Sequence, residues 1–172
     1  MTLKRWDTGS GLDLLTLRGH AAAIDSVVWS PDGERLATGS FDNTAQIWDA
    51  ASGKSLLVLH GHTGAVDTVA WSPDGKHVAT ASFDGTVRGW DTHSGRELLA
   101  FRGSPSFYAV VFSPDGKRLA AGSFGGIIQI FLLDIRELLA LAHKRISRKP
   151  PDLTPDECLR YFQSKTCPSL PQ

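Results

Sequence analysis

His, Ser or Thr, and Asp recur together along this chain. They are the groups of nucleophilic hydrolysis: a hydroxyl to attack, an imidazole to take its proton, a carboxylate to orient the ring. The recurrence itself argues against that chemistry. The set comes round twice at one spacing, as a scaffold element does, and no nucleophile-elbow motif accompanies it. Metal binding is the next chemistry to weigh, with six His and two Cys. His20, His62, His77, His93 and His143 are set apart by strand-like and turn-like segments, no His-x3–5-His pair exists, and Cys158 and Cys167 lack Cys-x-x-Cys spacing. No metal or cofactor is therefore expected. The third chemistry is electrostatic. The run HKRISRK, 143–149, could touch nucleic acid or anionic lipid. Residues 134–172 hold 7 basic and 5 acidic side chains, a net +2, against 11 and 13, a net −2, in 1–133. That split is too small for a nucleic-acid footprint, and a solvated helix end is the preferred reading.

What positions these groups is a repeat. Ser-Pro-Asp-Gly occurs at 30–33, 72–75 and 113–116, Gly-His at 19–20 and 61–62, and Trp-Asp at 6–7, 48–49 and 90–91. Three independent markers share a period of 41–42 residues, which makes chance a poor explanation. Between markers the sequence reads as strands. In the second unit, Val66–Trp71, Lys76–Ser82, Thr86–Asp91 and Glu97–Phe101 are short runs separated by turns rich in Gly, Pro and Asp. Four such strands in about 42 residues make one propeller blade.

The stretches GHAAAIDSVVWSPDGERLATGSFDNTAQIWD (19–49) and GHTGAVDTVAWSPDGKHVATASFDGTVRGWD (61–91) resemble WD-repeat β-propeller units. The resemblance covers 1–133, with units near 19–49, 61–91 and 103–133, and it implies an all-β, partial WD-type propeller of about three blades. It also implies a buried tetrad in each unit: His20, Thr38, Asp42 and Trp48, then His62, Thr80, Asp84 and Trp90. A buried polar chain of this kind is tolerable only when each member is satisfied. The third unit departs from the pattern at all four positions, with Ser104, Ala121, Gly125 and Phe131. Apolar packing of Phe107, Val110, Phe112, Ile128, Ile130 and Phe131 is expected to hold it instead.

The tally is thirteen strands, short of the four to eight blades that close a ring. Two arrangements follow. In one, the chain is the C-terminal part of a larger propeller protein, the reading preferred here because open sheet edges invite aggregation. In the other, two chains form a homodimer that closes one ring, with the N-terminal strands of one completing the last blade of the other. After residue 133 the period changes. Ile135, Leu138, Leu139 and Ala142 fall on one helical face, and Thr154-Pro155-Asp156-Glu157 is a helix start, so 134–172 is expected to be a short helical tail. That tail resembles the end of large bacterial WD-repeat signalling proteins, which often carry an NTPase or kinase upstream. This chain has no phosphate-loop or kinase motif.

No apolar leader opens the chain and its longest apolar run, IIQIFLL at 127–133, is too short to span a bilayer, so a soluble cytoplasmic protein without a membrane partner is expected. In the resembled family, binding residues sit beside the opening of the first strand and just before the turn Asp. Those positions are Asp25, Asp67 and Tyr108, with Phe41, Phe83 and Phe124. Aromatics beside acids suit a protein partner, while the plainer role for the three Phe is packing between blades. The expected function is a non-catalytic protein–protein interaction scaffold. The alternatives are the sensor or regulatory end of a split signalling NTPase or kinase, and a weak anion or nucleic-acid binder acting through the basic tail.

Overall fold

The structure is a computed structural model that describes residues 2–6, 9, 13–103 and 106–133. Its thirteen strands among the described residues are β1 (Thr2–Trp6), β2 (Asp13–Arg18), β3 (Ile24–Trp29), β4 (Arg35–Ser40), β5 (Ala45–Asp49), β6 (Ser55–Leu59), β7 (Val66–Trp71), β8 (His77–Ser82), β9 (Thr86–Asp91), β10 (Glu97–Arg102), β11 (Phe107–Phe112), β12 (Arg118–Ser123) and β13 (Ile128–Leu132). They form a hairpin β1-β2 and three antiparallel meanders: β3-β4-β5-β6 (blade 1), β7-β8-β9-β10 (blade 2) and β11-β12-β13 (blade 3). The expected helical tail, Cys158, Cys167 and the basic run 143–149 lie outside the described residues, as does Ser104.

The Ser-Pro-Asp-Gly turns join the first and second strands of each blade. In blade 1 the Ser30 hydroxyl donates to the Asp32 carboxylate, which also accepts from the Glu34 N–H, and Gly33 N–H bonds Ser30 C=O at 2.9 Å. Gly33, Gly75 and Gly116 sit at φ of 74, 70 and 70°, the left-handed region where a Cβ is costly, which is why the turn ends in Gly. At the next turn Asn43 takes φ 69° where blades 2 and 3 have Gly85 and Gly126; Asn is among the few other residues that tolerate it.

The core lies between sheets. Ala37, Ala45, Ile47 and Leu59 of blade 1 pack on Val66, Val69, Val78 and Trp90 of blade 2. Ala79, Ala81 and Val87 of blade 2 pack in turn on Phe107, Val110, Leu119 and Ala121 of blade 3. The second strands β4 and β8 are sandwiched on both faces, so they read as small-residue runs, RLATGS and HVATAS, without clean alternation. Leu17 on β2 packs with Leu36, Trp48 and Ala50 on the other side of blade 1.

Blade 3 requires one correction. Phe107, Val110, Phe112 and Phe131 pack toward blade 2, and the Phe131 ring stacks on Phe101 at 4.3 Å. Ile128 and Ile130 do not join them, and both are exposed. Strand pleating puts 128 and 130 on the face opposite 129 and 131, and among the described residues no sheet covers that face.

Candidate functional site

Each tetrad is assembled by two strands and two loops. In blade 2, His62 precedes β7, Thr80 is mid-β8, Asp84 is in the β8–β9 turn and Trp90 is near the end of β9. Trp90 Nε1–H donates to Thr80 Oγ1 at 2.9 Å, the Thr80 hydroxyl lies 2.7 Å from His62 Nε2, and His62 Nδ1 lies 2.9 Å from Asp84 Oδ2. One proton arrangement satisfies all of them. The carboxylate only accepts, so Nδ1 carries the ring proton, Nε2 accepts from Thr80 O–H, and Thr80 accepts from the indole. Blade 1 repeats the chain with Trp48–Thr38 at 2.9 Å, Thr38–His20 at 2.7 Å and His20–Asp42 at 2.8 Å.

The electrostatics agree with a neutral ring. Burial pushes the His62 pKa down, outweighing Asp84. Burial alone would raise Asp84, but bonds from the Thr86 hydroxyl, Thr63 N–H and His62 overcome it and hold the carboxyl at about 2. Asp42 is likewise held at about 2 against its burial by Thr44, His20 and Ala21 N–H. Thr44 and Thr86 went unnoticed in the sequence, although they recur two residues after each turn Asp. Their hydroxyls donate to Asp42 and Asp84 at 2.6 Å. The hydrolase chemistry has no usable nucleophile in these sets. Thr38 and Thr80 are wholly buried, and each already accepts an indole N–H.

The other six residues gather where the first strands of neighbouring blades run side by side. Phe41, Phe83 and Phe124 each follow the second strand of a blade, fixed by a backbone bond from their own N–H to Ala23, Ala65 and Ser106. Their rings form a ladder across the three blades, with centroids 6.3 Å apart for Phe41–Phe83 and 5.5 Å for Phe83–Phe124, and Tyr108 meets Phe124 edge-on at 5.1 Å. The rings touch from blade to blade, and all four stay 38–61% exposed. Asp67, Tyr108, Ser123, Phe124 and Gly126 line an open hollow of about 480 Å³. Asp67 is raised to about 6 by burial and by the hydrogen-bonded, like-charged Asp25 carboxyl beside it. Thr68 Oγ1–H to Tyr108 C=O at 2.6 Å and Val69 N–H to Ser26 Oγ at 3.2 Å tie β7 to its neighbours β11 and β3.

Comparison with known proteins supplies the family. The profile of the WD domain, G-beta repeat family matches residues 11–49, 53–91 and 95–131. Among curated proteins the chain is similar to Coronin-7 of Pongo abelii and of Homo sapiens, at 43% identity over 47 residues, 27% of this chain and 5% of those proteins. It is also similar to Protein HIRA of Oryza sativa subsp. japonica, at 53% identity over 34 residues, 20% of this chain and 4% of that protein. The chain thus spans about a twentieth of the length of the curated relatives it matches.

Proposed function

Since the chain belongs to the WD domain, G-beta repeat family, we propose that it is a non-catalytic scaffold whose partner protein docks on the ladder Phe41–Phe83–Phe124 and the neighbouring hollow. The observation that carries this is the exposure of four contiguous aromatic rings beside two acids on a rigid sheet edge. Large aromatics that lose water on binding are the usual energetic anchors of protein interfaces. The carboxylates beside them favour a partner segment carrying Lys or Arg, since a cation would relieve the Asp25–Asp67 repulsion and lie against ring faces. Three blades and a two-stranded piece act as part of a larger ring in the cytoplasm, and the scaffold role needs no chemistry of its own.

The test is site-specific photocrosslinking in cell extract, with the probe at Phe83, at Tyr108 and, as a control, at Lys54 in the turn after β5. One discrete crosslinked partner at Phe83 and Tyr108, absent at Lys54 and lost in an Asp67→Lys background, is the expected outcome. Equal labelling at all three positions, or labelling indifferent to Asp67→Lys, would refute the assignment.

A further inference from the structure

The first strands of neighbouring blades run side by side, and the repeat sets equivalent residues of those strands next to one another. Asp25, Asp67 and Tyr108 are each the second residue of such a strand, in β3, β7 and β11. At the junction of blades 2 and 3 the period therefore sets a carboxyl beside a phenol, and both line the hollow. At the junction of blades 1 and 2 it sets two carboxyls together, and they are hydrogen-bonded. That junction is interior to the described residues and tightly pinned. Val69 N–H donates to Ser26 Oγ at 3.2 Å, and the Phe41 and Phe83 rings meet there at 6.3 Å. A strand slide that separated the carboxyls would break this bond and pull Val66 and Val69 off blade 1.

The surroundings of the pair decide its charge. Strand β7 packs on β3, β4, β8 and β11. From β3 comes Asp25, and from β11 comes Tyr108. The ionisable group of β4 is Arg35 and that of β8 is His77, and register puts both at the opposite end of the strands from the pair. Arg35 is engaged there, 4.8 Å from the centre of the Trp71 ring and donating to Gly75 C=O at 3.1 Å, while His77 lies 4.0 Å from Asp74. The turn acids Asp42 and Asp84 are held by His20 and His62. Among the described residues no basic group therefore compensates the pair, and Asp67 responds to burial and to Asp25 alone. Two carboxyls so placed hold one proton between them, because ionising both sets like charges in contact.

Resting on the reading that a partner docks on the Phe ladder, we propose that docking there exchanges a proton for a cation: one basic side chain of the partner takes the place of the proton between Asp25 and Asp67, and that proton leaves to water. A guanidinium suits the place best, since its planar fork donates to an oxygen of each carboxyl at once. The local net charge is the same before and after, so the exchange leaves no new uncompensated charge at the half-buried Asp67. The free face binds a proton that the complex does not, so docking strengthens as pH rises and levels off above about 6. With Asp67 returning to an ordinary 3.8 in the complex, affinity falls about tenfold from pH 7 to pH 5.

The test is NMR on the full chain at constant ionic strength, with urea unfolding at pH 5 and 7 to check folding. Carbon-13 shifts of the Asp67 carboxyl follow its proton, and ring shifts of Phe41, Phe83 and Phe124 follow binding. The probes are the acetylated and amidated tripeptides Leu-Arg-Leu and Leu-Gln-Leu. In the free chain Asp67 should titrate near 6, and in Asp25→Asn near the ordinary carboxyl range. Leu-Arg-Leu should bind about tenfold more weakly at pH 5 than at pH 7, Leu-Gln-Leu equally at both, and Asp25→Asn should flatten the Leu-Arg-Leu profile. Several results would each overturn the exchange: Asp67 titrating in the ordinary range in the unaltered chain, Leu-Arg-Leu binding equally at both pH values, the same pH dependence for both peptides, or the tenfold change surviving Asp25→Asn. Leu-Arg-Leu moving none of the three rings would overturn it too. Photocrosslinking at Phe83 and Tyr108 decides the docking reading separately, so a partner captured there alongside a flat pH profile would sink the exchange and leave the docking face standing.

Discussion

Thr80→Val is the sharpest probe of what holds a blade together. The side chains are nearly the same shape and the site is wholly buried, so the change removes little except one oxygen. That oxygen accepts from Trp90 Nε1 at 2.9 Å and serves His62 Nε2 at 2.7 Å. Valine leaves an indole N–H and a ring nitrogen buried without partners, each at a cost of about 1–3 kcal/mol. The added methyl returns about 0.8 kcal/mol through burial. The net expectation is a loss of about 3 kcal/mol, a large part of the stability of an ordinary domain. Urea unfolding of the full chain measures it, with an unchanged slope showing that both states keep their compactness. Trp90→Phe removes the indole donor, so in a double-mutant cycle with Thr80→Val the two losses should fall short of additivity by about 1 kcal/mol. A loss under about 1 kcal/mol, or full additivity, would show that the polar chain is not what stabilises the blade. Thr38→Val should behave alike in blade 1, where the same bonds recur.

Acid should unfold the chain in a definite window. Asp42 and Asp84 are held at about 2 against an ordinary 3.8, so their stabilisation is complete above the unfolded value and drains away as pH falls toward 2, about 2 kcal/mol for each. His62, with its pKa lowered, adds a loss of the same sign as pH drops below its unfolded value of 6.5. Asp67, at about 6, acts in the opposite direction. The folded state there binds more protons than the unfolded one, so stability falls as pH rises from 3.8 to 6, and Asp67→Asn should raise the unfolding midpoint at pH 7 but not at pH 3. Gly39→Ala and Gly122→Ala alter the same repeat position with different results. A Cβ at Gly39 would come within 2.8 Å of Val66 C=O at a blade junction, costing about 1–3 kcal/mol, while one at Gly122 meets nothing closer than 3.4 Å and should be near neutral by the same unfolding assay.

The strands were legible because the repeat fixes their spacing and each turn carries its own chemistry. Val66–Trp71 and Thr86–Asp91 fall where the sequence places them, and His77–Ser82 begins one residue later than expected. The tetrad side chains were legible only through the family resemblance, since spacings of 18, 22 and 28 residues from the His carry no geometric signal by themselves. What the period did carry, and was not read for, is the Thr two residues after each turn Asp. Arg35 was invisible for a different reason. Its partner Trp71 is 36 positions away in another blade, and nothing local distinguishes this arginine from a solvated one.

The direction of Ile128 and Ile130 shows where such reading stops. Alternation in IQIFL puts Ile128, Ile130 and Leu132 on one face and Gln129 and Phe131 on the other, and the more apolar of the two faces is the one left open. Which face is covered depends on the next sheet, not on β13. In blade 1 the same positions, Ala45 and Ile47, are buried because blade 2 follows. The sequence of a blade therefore specifies an interface before it specifies an occupant.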